Sequence, residues 1–126
     1  MSKAMKVILT IAAFGLATPV AAQAPVTAFD GTYAGVSTDI EAAHRDIPRS
    51  RCPQLGLPDP LTIANGVVKP PSRGGWTGTV SPQGALVIRN RLLVHVEGQI
   101  DPQGNATAQF NGPQCIVKFG WRKQAG

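Results

Sequence analysis

From Leu61 to Lys123 the chain alternates apolar and polar residues in short runs, and each run ends in turn-forming residues. A period of two sends successive side chains to opposite faces, so these runs read as half-buried β-strands. The turns are written as firmly as the strands. Asn65-Gly66, between Leu61-Thr62-Ile63-Ala64 and Val67-Val68, is a two-residue hairpin signal because both residues tolerate positive φ. Gly78-Thr79-Val80-Ser81-Pro82-Gln83-Gly84 is echoed by Gly98-Gln99-Ile100-Asp101-Pro102-Gln103-Gly104 at a spacing of 20 residues. In each copy proline presets φ at the first corner and the last glycine accepts the left-handed conformation that closes the turn. The repeat therefore predicts a repeated hairpin.

Five further strands follow from this grammar: Trp76 to Val80, Ala85 to Arg89, Leu93 to Ile100, Ala106 to Phe110 and Cys115 to Lys123. In the third, Val94, Val96 and Ile100 share a face, with His95, Glu97 and Gln99 on the other. In the last, Val117, Phe119 and Trp121 share a face opposite Lys118 and Arg122. Upstream, Asp30-Gly31 is a turn pair leading into the strand-like Thr32 to Val36. Thr38-Asp39-Ile40-Glu41 spells a capping box, which predicts one short helical turn near 39–46, ended by Pro48. Ile47 to Pro60, with four prolines, reads as an irregular loop. The expected fold is mainly all-β: an antiparallel meander of seven or eight short strands closed as a sandwich or small barrel. Phe29, Tyr33, Trp76, Phe110, Phe119 and Trp121 are its largest core candidates.

The N-terminal segment has the parts of an export signal. Lys3 and Lys6 precede an apolar stretch from Val7 to Leu16, and Pro19 breaks it before a tail of small residues. The expected signal peptide is 1–22, cleaved after Ala22, because the competing Ala22-Gln23-Ala24 frame puts Pro25 just past the scissile bond. A spanning helix needs roughly 20 apolar residues and this stretch is shorter, so no stable transmembrane segment is expected after cleavage. The remainder, 23–126, is one domain in the periplasm or outside the cell. In such a compartment two lone cysteines in a small domain pair, which predicts a Cys52–Cys115 disulfide. A reactive thiol or half of a metal site is the weaker reading, since neither cysteine has a partner at ligand spacing. The formal net charge of +5 includes Lys3 and Lys6, so the exported part is only modestly basic.

The sequence offers no catalytic constellation, metal-ligand spacing or cofactor motif. His44 and His95 are the two histidines: Asp46 stands two residues from His44, which on a helix does not place both on one face, and His95 lies on the solvent face of its strand. Two surface features stand out. Arg45, Arg49, Arg51, Gln54, Leu55 and Leu57 lie in the long loop, a mixture suited to a protein partner. Arg89 and Arg91 flank a turn while Lys118, Arg122 and Lys123 crowd the last strand; if those strands are neighbours they form an anion-attracting patch. Export and the lack of basic–aromatic interleaving argue against nucleic acid.

Phe29-Asp30-Gly31-Thr32-Tyr33-Ala34-Gly35, Cys52-Pro53, Leu61-Thr62-Ile63-Ala64-Asn65-Gly66 and the Pro-Gln-Gly turns resemble small exported alphaproteobacterial β-domain proteins of unassigned function. The resemblance covers most of the exported part and implies a periplasmic or secreted, disulfide-linked β domain. It carries no catalytic residues across. The leading expectation is a non-enzymatic module that binds a protein or an envelope glycan, or contributes to the envelope. The alternatives are a small periplasmic enzyme or enzyme inhibitor, and a weak binder of anionic glycan or lipid through a basic strand face.

Overall fold

In a computed structural model that describes residues 26–70 and 74–125, the alternating runs become eight strands. They are β1 (Gly31–Ala42), β2 (Leu61–Ala64), β3 (Val67–Val68), β4 (Thr77–Val80), β5 (Ala85–Arg89), β6 (Val96–Ile100), β7 (Asn105–Asn111) and β8 (Cys115–Lys123). Each pairs antiparallel with the next, and β8 returns to β1, so the meander closes as an eight-stranded barrel. Closure gives every strand a neighbour on both sides, which a short-stranded open meander lacks at its ends. The signal peptide expected over 1–22 lies outside the described residues.

The alternation sorts side chains as expected. Leu86 and Ile88 of β5, Val96 and Ile100 of β6, and Val117, Phe119 and Trp121 of β8 point into the core. Thr77, Thr79, Arg89, Glu97, Gln99 and Lys118 face water. Apolar inside and polar outside is the inverse of a lipid-embedded barrel. Among the described residues no helix is long and apolar enough to cross a membrane. Of the core candidates, Tyr33, Trp76, Phe119 and Trp121 are buried, while Phe29 and Phe110 pack against the core half-buried.

Two expectations need correction. The helical turn near 39–46 does not form: Thr38 to Ala42 continue β1, paired residue by residue with Phe119 to Cys115 of β8. A capping box satisfies a few donors locally, whereas the ladder satisfies a whole strand and buries Ile40 partly against the core. The one helical turn among the described residues is a 3-10 turn at Arg49–Arg51. Likewise, Leu93 to His95 lie outside β6, and Val94 does not share the buried face of Val96 and Ile100 but is exposed.

An up-and-down barrel sends alternate connections to the same end. One end therefore collects the tight turns at 65–66, 81–84 and 101–104, together with the segment before β1. It is closed. Asp30 accepts hydrogen bonds from the backbone N–H groups of Asn65 (2.9 Å) and Gly66 (3.3 Å), and the Tyr33 hydroxyl donates to the Phe29 carbonyl at 2.8 Å. Burial, reinforced by the negative charges of Asp30 and Asp101, raises the Tyr33 pKa.

The repeat is a repeated hairpin down to its hydrogen bonds. Ser81 Oγ accepts from the N–H groups of Gln83 and Ala85, and Asp101 Oδ1 accepts from those of Gln103 and Asn105. Hydrogen bonds from the Asn105 backbone and side chain, with help from Gln103 and Gly104, hold the Asp101 carboxyl below the usual carboxylate range. A depressed folded-state pKa means stability that is present above the unfolded value and lost as pH falls through the folded one. Asp101→Ser, which copies the sister turn, is expected to keep the melting temperature near wild type at pH 7 and to shrink its fall on acidification. Asp101→Ala is expected to lower it at pH 7. Melts from pH 7 to pH 2 check both, with NMR titration of the Asp101 carboxyl.

Candidate functional site at the open end of the barrel

The other end of the barrel carries the irregular connections: 43–60 between β1 and β2, 69–76 between β3 and β4, 90–95 between β5 and β6, and 112–114 between β7 and β8. β2 pairs with β1 only over Gly31–Tyr33. Above that point the returning loop takes the place of a strand beside β1. Thr38 Oγ1 donates to the Gly56 carbonyl at 2.8 Å, and the Trp121 indole Nε1 donates to the Asp59 carbonyl at 2.8 Å. The backbone of Pro58 lies so close to Gly35 that a Cβ there would overlap its carbonyl oxygen. The Cys52–Cys115 disulfide, spanning 63 residues of sequence, ties the same loop to the first residue of β8.

These loops border an open-mouthed cavity of about 590 Å³. Trp76, Val117 and Phe119 form its floor within the barrel. Leu55 and Leu57 wall it from the long loop, Leu92 and Leu93 from the β5–β6 loop, and Phe110 from the end of β7. The floor belongs to an aromatic cluster: Trp76 stands edge-on to Phe119 (centroids 5.5 Å apart) and to Trp121 (5.9 Å). Such contacts fix ring positions as well as fill space. The Trp76 indole Nε1 is the one buried side-chain polar atom without a hydrogen-bond partner among the described residues. An unpaired buried donor costs about 1–3 kcal/mol. An eight-stranded barrel is just wide enough to fill with side chains or to hold one small ligand. This one does the first at its closed end and leaves room for the second at its open end.

The residues singled out from sequence fall unevenly on this geometry. Arg51, Leu55 and Leu57 line the cavity. Arg49 and Gln54 line a smaller groove against Thr38 and Ile40 of β1, and Arg45 is exposed beside His44, ahead of the 3-10 turn. The five-residue basic patch does not assemble, because β6 and β7 stand between β5 and β8. Arg89 and Arg91 sit at the open end. Lys118 is 3.6 Å from Glu41, and Lys123 stands 6.0 Å over the Tyr33 ring near the closed end, next to Arg122. His44 and His95 are exposed on different loops. Among the described residues no three His, Cys, Asp or Glu side chains gather as metal ligands.

Sequence reasoning missed Asn90, Leu92 and Leu93 as cavity residues and assigned Trp76, Phe110 and Phe119 to the core alone. The signal that finds them is the alternation of tight turns and long loops, which in a meander separates the two ends. Comparison of the chain with families of known proteins, with curated proteins and with solved structures finds no match.

Proposed function

We propose that this chain is an exported, non-enzymatic binding module that takes a small, mainly apolar ligand into the open end of its barrel. The observation that carries the reading is the 590 Å³ cavity, walled by leucines and aromatic rings on a disulfide-tied scaffold. Ligand pockets are mostly apolar concavities with a few polar groups that fix orientation. Here the polar groups are Arg51, Asn90 and Asp59 at the wall, which favour a ligand with a polar group beside its apolar body. The signal pattern and the disulfide support work in the periplasm or outside the cell, as in the exported proteins the chain resembles.

The two tryptophans of the sequence lie in the cavity floor and against it, so intrinsic fluorescence reports on occupancy. Titration with N-phenyl-1-naphthylamine, an uncharged apolar probe, is expected to give saturable one-to-one binding with quenching of tryptophan emission. Val117→Phe adds a ring at the cavity floor. It is expected to weaken binding at least tenfold; overpacking this buried position costs about 1–3 kcal/mol, so the melting temperature falls while far-ultraviolet circular dichroism stays native. Non-saturable binding, or an affinity untouched by Val117→Phe, would overturn the reading.

A further inference from the structure

Four of the exposed large apolar side chains cluster at the open end: Leu57 (63% exposed), Leu92 (84%), Val94 (59%) and Leu55 (41%). They come in pairs from two loops, one between β1 and β2 and one between β5 and β6, and Leu55, Leu57 and Leu92 line the same cavity. The mouth thus carries two apolar prongs. Cations accompany them. Arg49 and Arg51 precede the first prong, Arg91 adjoins the second, and Arg45, Lys69 and Arg89 lie at the same end, against Glu41, Asp46 and Asp59. Glu41 is engaged with Lys118. The closed end is different: Asp30 and Asp101 there stand against Arg122 and Lys123, with the acids occupied in capping turns.

We propose that the open end docks on an anionic phospholipid surface. Protruding aliphatic tips flanked by guanidinium groups suit the boundary between headgroups and acyl chains, where apolar side chains bury and cations meet phosphates. Arginine is the better cation for that place because its planar fork pairs with phosphate oxygens and sheds water readily. The tips come from two separate loops at one mouth, an arrangement that a fluid surface accommodates readily. The polarity of charge along the barrel axis orients the mouth toward the lipid.

The test is co-sedimentation of the exported chain with vesicles of phosphatidylglycerol and phosphatidylcholine in equal parts, against vesicles of phosphatidylcholine alone. Partition onto the anionic vesicles is expected to be at least tenfold stronger, and to fall severalfold between 50 and 300 mM salt as charges are screened. Leu57→Ser with Leu92→Ser, both on exposed positions, is expected to cut partition about tenfold without moving the melting temperature. Arg49→Ser with Arg91→Ser is expected to remove most of the salt dependence. Equal partition onto both vesicles, or partition unaffected by the leucine changes, would overturn the proposal. Val117→Phe separates it from ligand binding in the cavity. That variant is expected to lose the naphthylamine probe yet keep vesicle partition within twofold; loss of both would overturn surface docking in favour of extraction of single lipids.

Discussion

Replacing both cysteines, Cys52→Ala with Cys115→Ala, is expected to lower the melting temperature by roughly 15–30 °C. The bridge closes a loop of 63 residues. Forbidding the unfolded chain its open conformations over that length is worth about 4 kcal/mol in the chain-entropy account. For a domain of roughly a hundred residues each kcal/mol moves the midpoint by about 4–8 °C. The native contacts that remain decide what the unbridged protein looks like. The Thr38 and Trp121 hydrogen bonds still hold Gly56 and Asp59, and the barrel ladder is complete without the bridge. The variant is therefore expected to fold at 20 °C with native far-ultraviolet circular dichroism. It is also expected to bind the apolar probe more weakly, because Leu55 and Leu57 lie just beyond the lost tether. A midpoint within 5 °C of wild type would show that the unfolded chain gains little from release of the loop.

How far the fold could be read ahead follows from which interactions specify it. Strand and turn signals are local: Asn65-Gly66 and the two Pro-Gln-Gly turns fix hairpins from within a few residues, and all three stand where the sequence puts them. The pairing of Cys52 with Cys115 followed from compartment and count. What local signals could not weigh was the competition for residues 38–42. A helix start and a strand are both compatible with Thr-Asp-Ile-Glu-Ala, and the partner that decides, Cys115 to Phe119, lies more than seventy residues downstream. The choice between sandwich and barrel was open for the same reason, since it rests on whether β8 pairs with β1.

The site was less legible than the fold. Arg51, Leu55 and Leu57 were singled out because they sit on a long loop, which is where function is often placed. Trp76, Phe110 and Phe119 looked like core because an apolar residue on the inward face of a strand carries the same signal whether it meets another side chain or a cavity. The basic patch failed on strand order. Arg89 and Lys118 are both outward-facing on strand surfaces, and only the meander's connectivity sets β6 and β7 between them. One inference was within reach. Once a meander is assumed, short and long connections must segregate by end, and the long ones mark the mouth.

Gly98→Ala is expected to destabilise the domain by about 3 kcal/mol, lowering the melting temperature by roughly 10–20 °C although it adds one methyl group. The reason lies in what the repeat places side by side. Gly78 and Gly98 open the two copies and stand in the inward-facing series, between Trp76 and Val80 and between Val96 and Ile100. Each pairs with a residue of the following strand, Ile88 and Ala108. A Cβ on Gly98 would overlap the Thr107 carbonyl oxygen and crowd the Ala108 Cα; a Cβ on Gly78 would overlap the Val87 carbonyl oxygen and crowd the Ile88 Cα. The obstacles are backbone atoms in a ladder, which cannot swing aside as a flexible side chain does. The repeat thus encodes more than a turn: at one end it closes a hairpin, and at the other it lets two strands coil closely enough for eight short strands to meet as a barrel. Gly56→Ala is the control, because a Cβ there meets nothing within 4 Å, and its midpoint is expected to stay near that of wild type. If Gly98→Ala melted with Gly56→Ala, close backbone approach at β6 and β7 would not be what closes this barrel, and the repeat would reduce to turn chemistry alone.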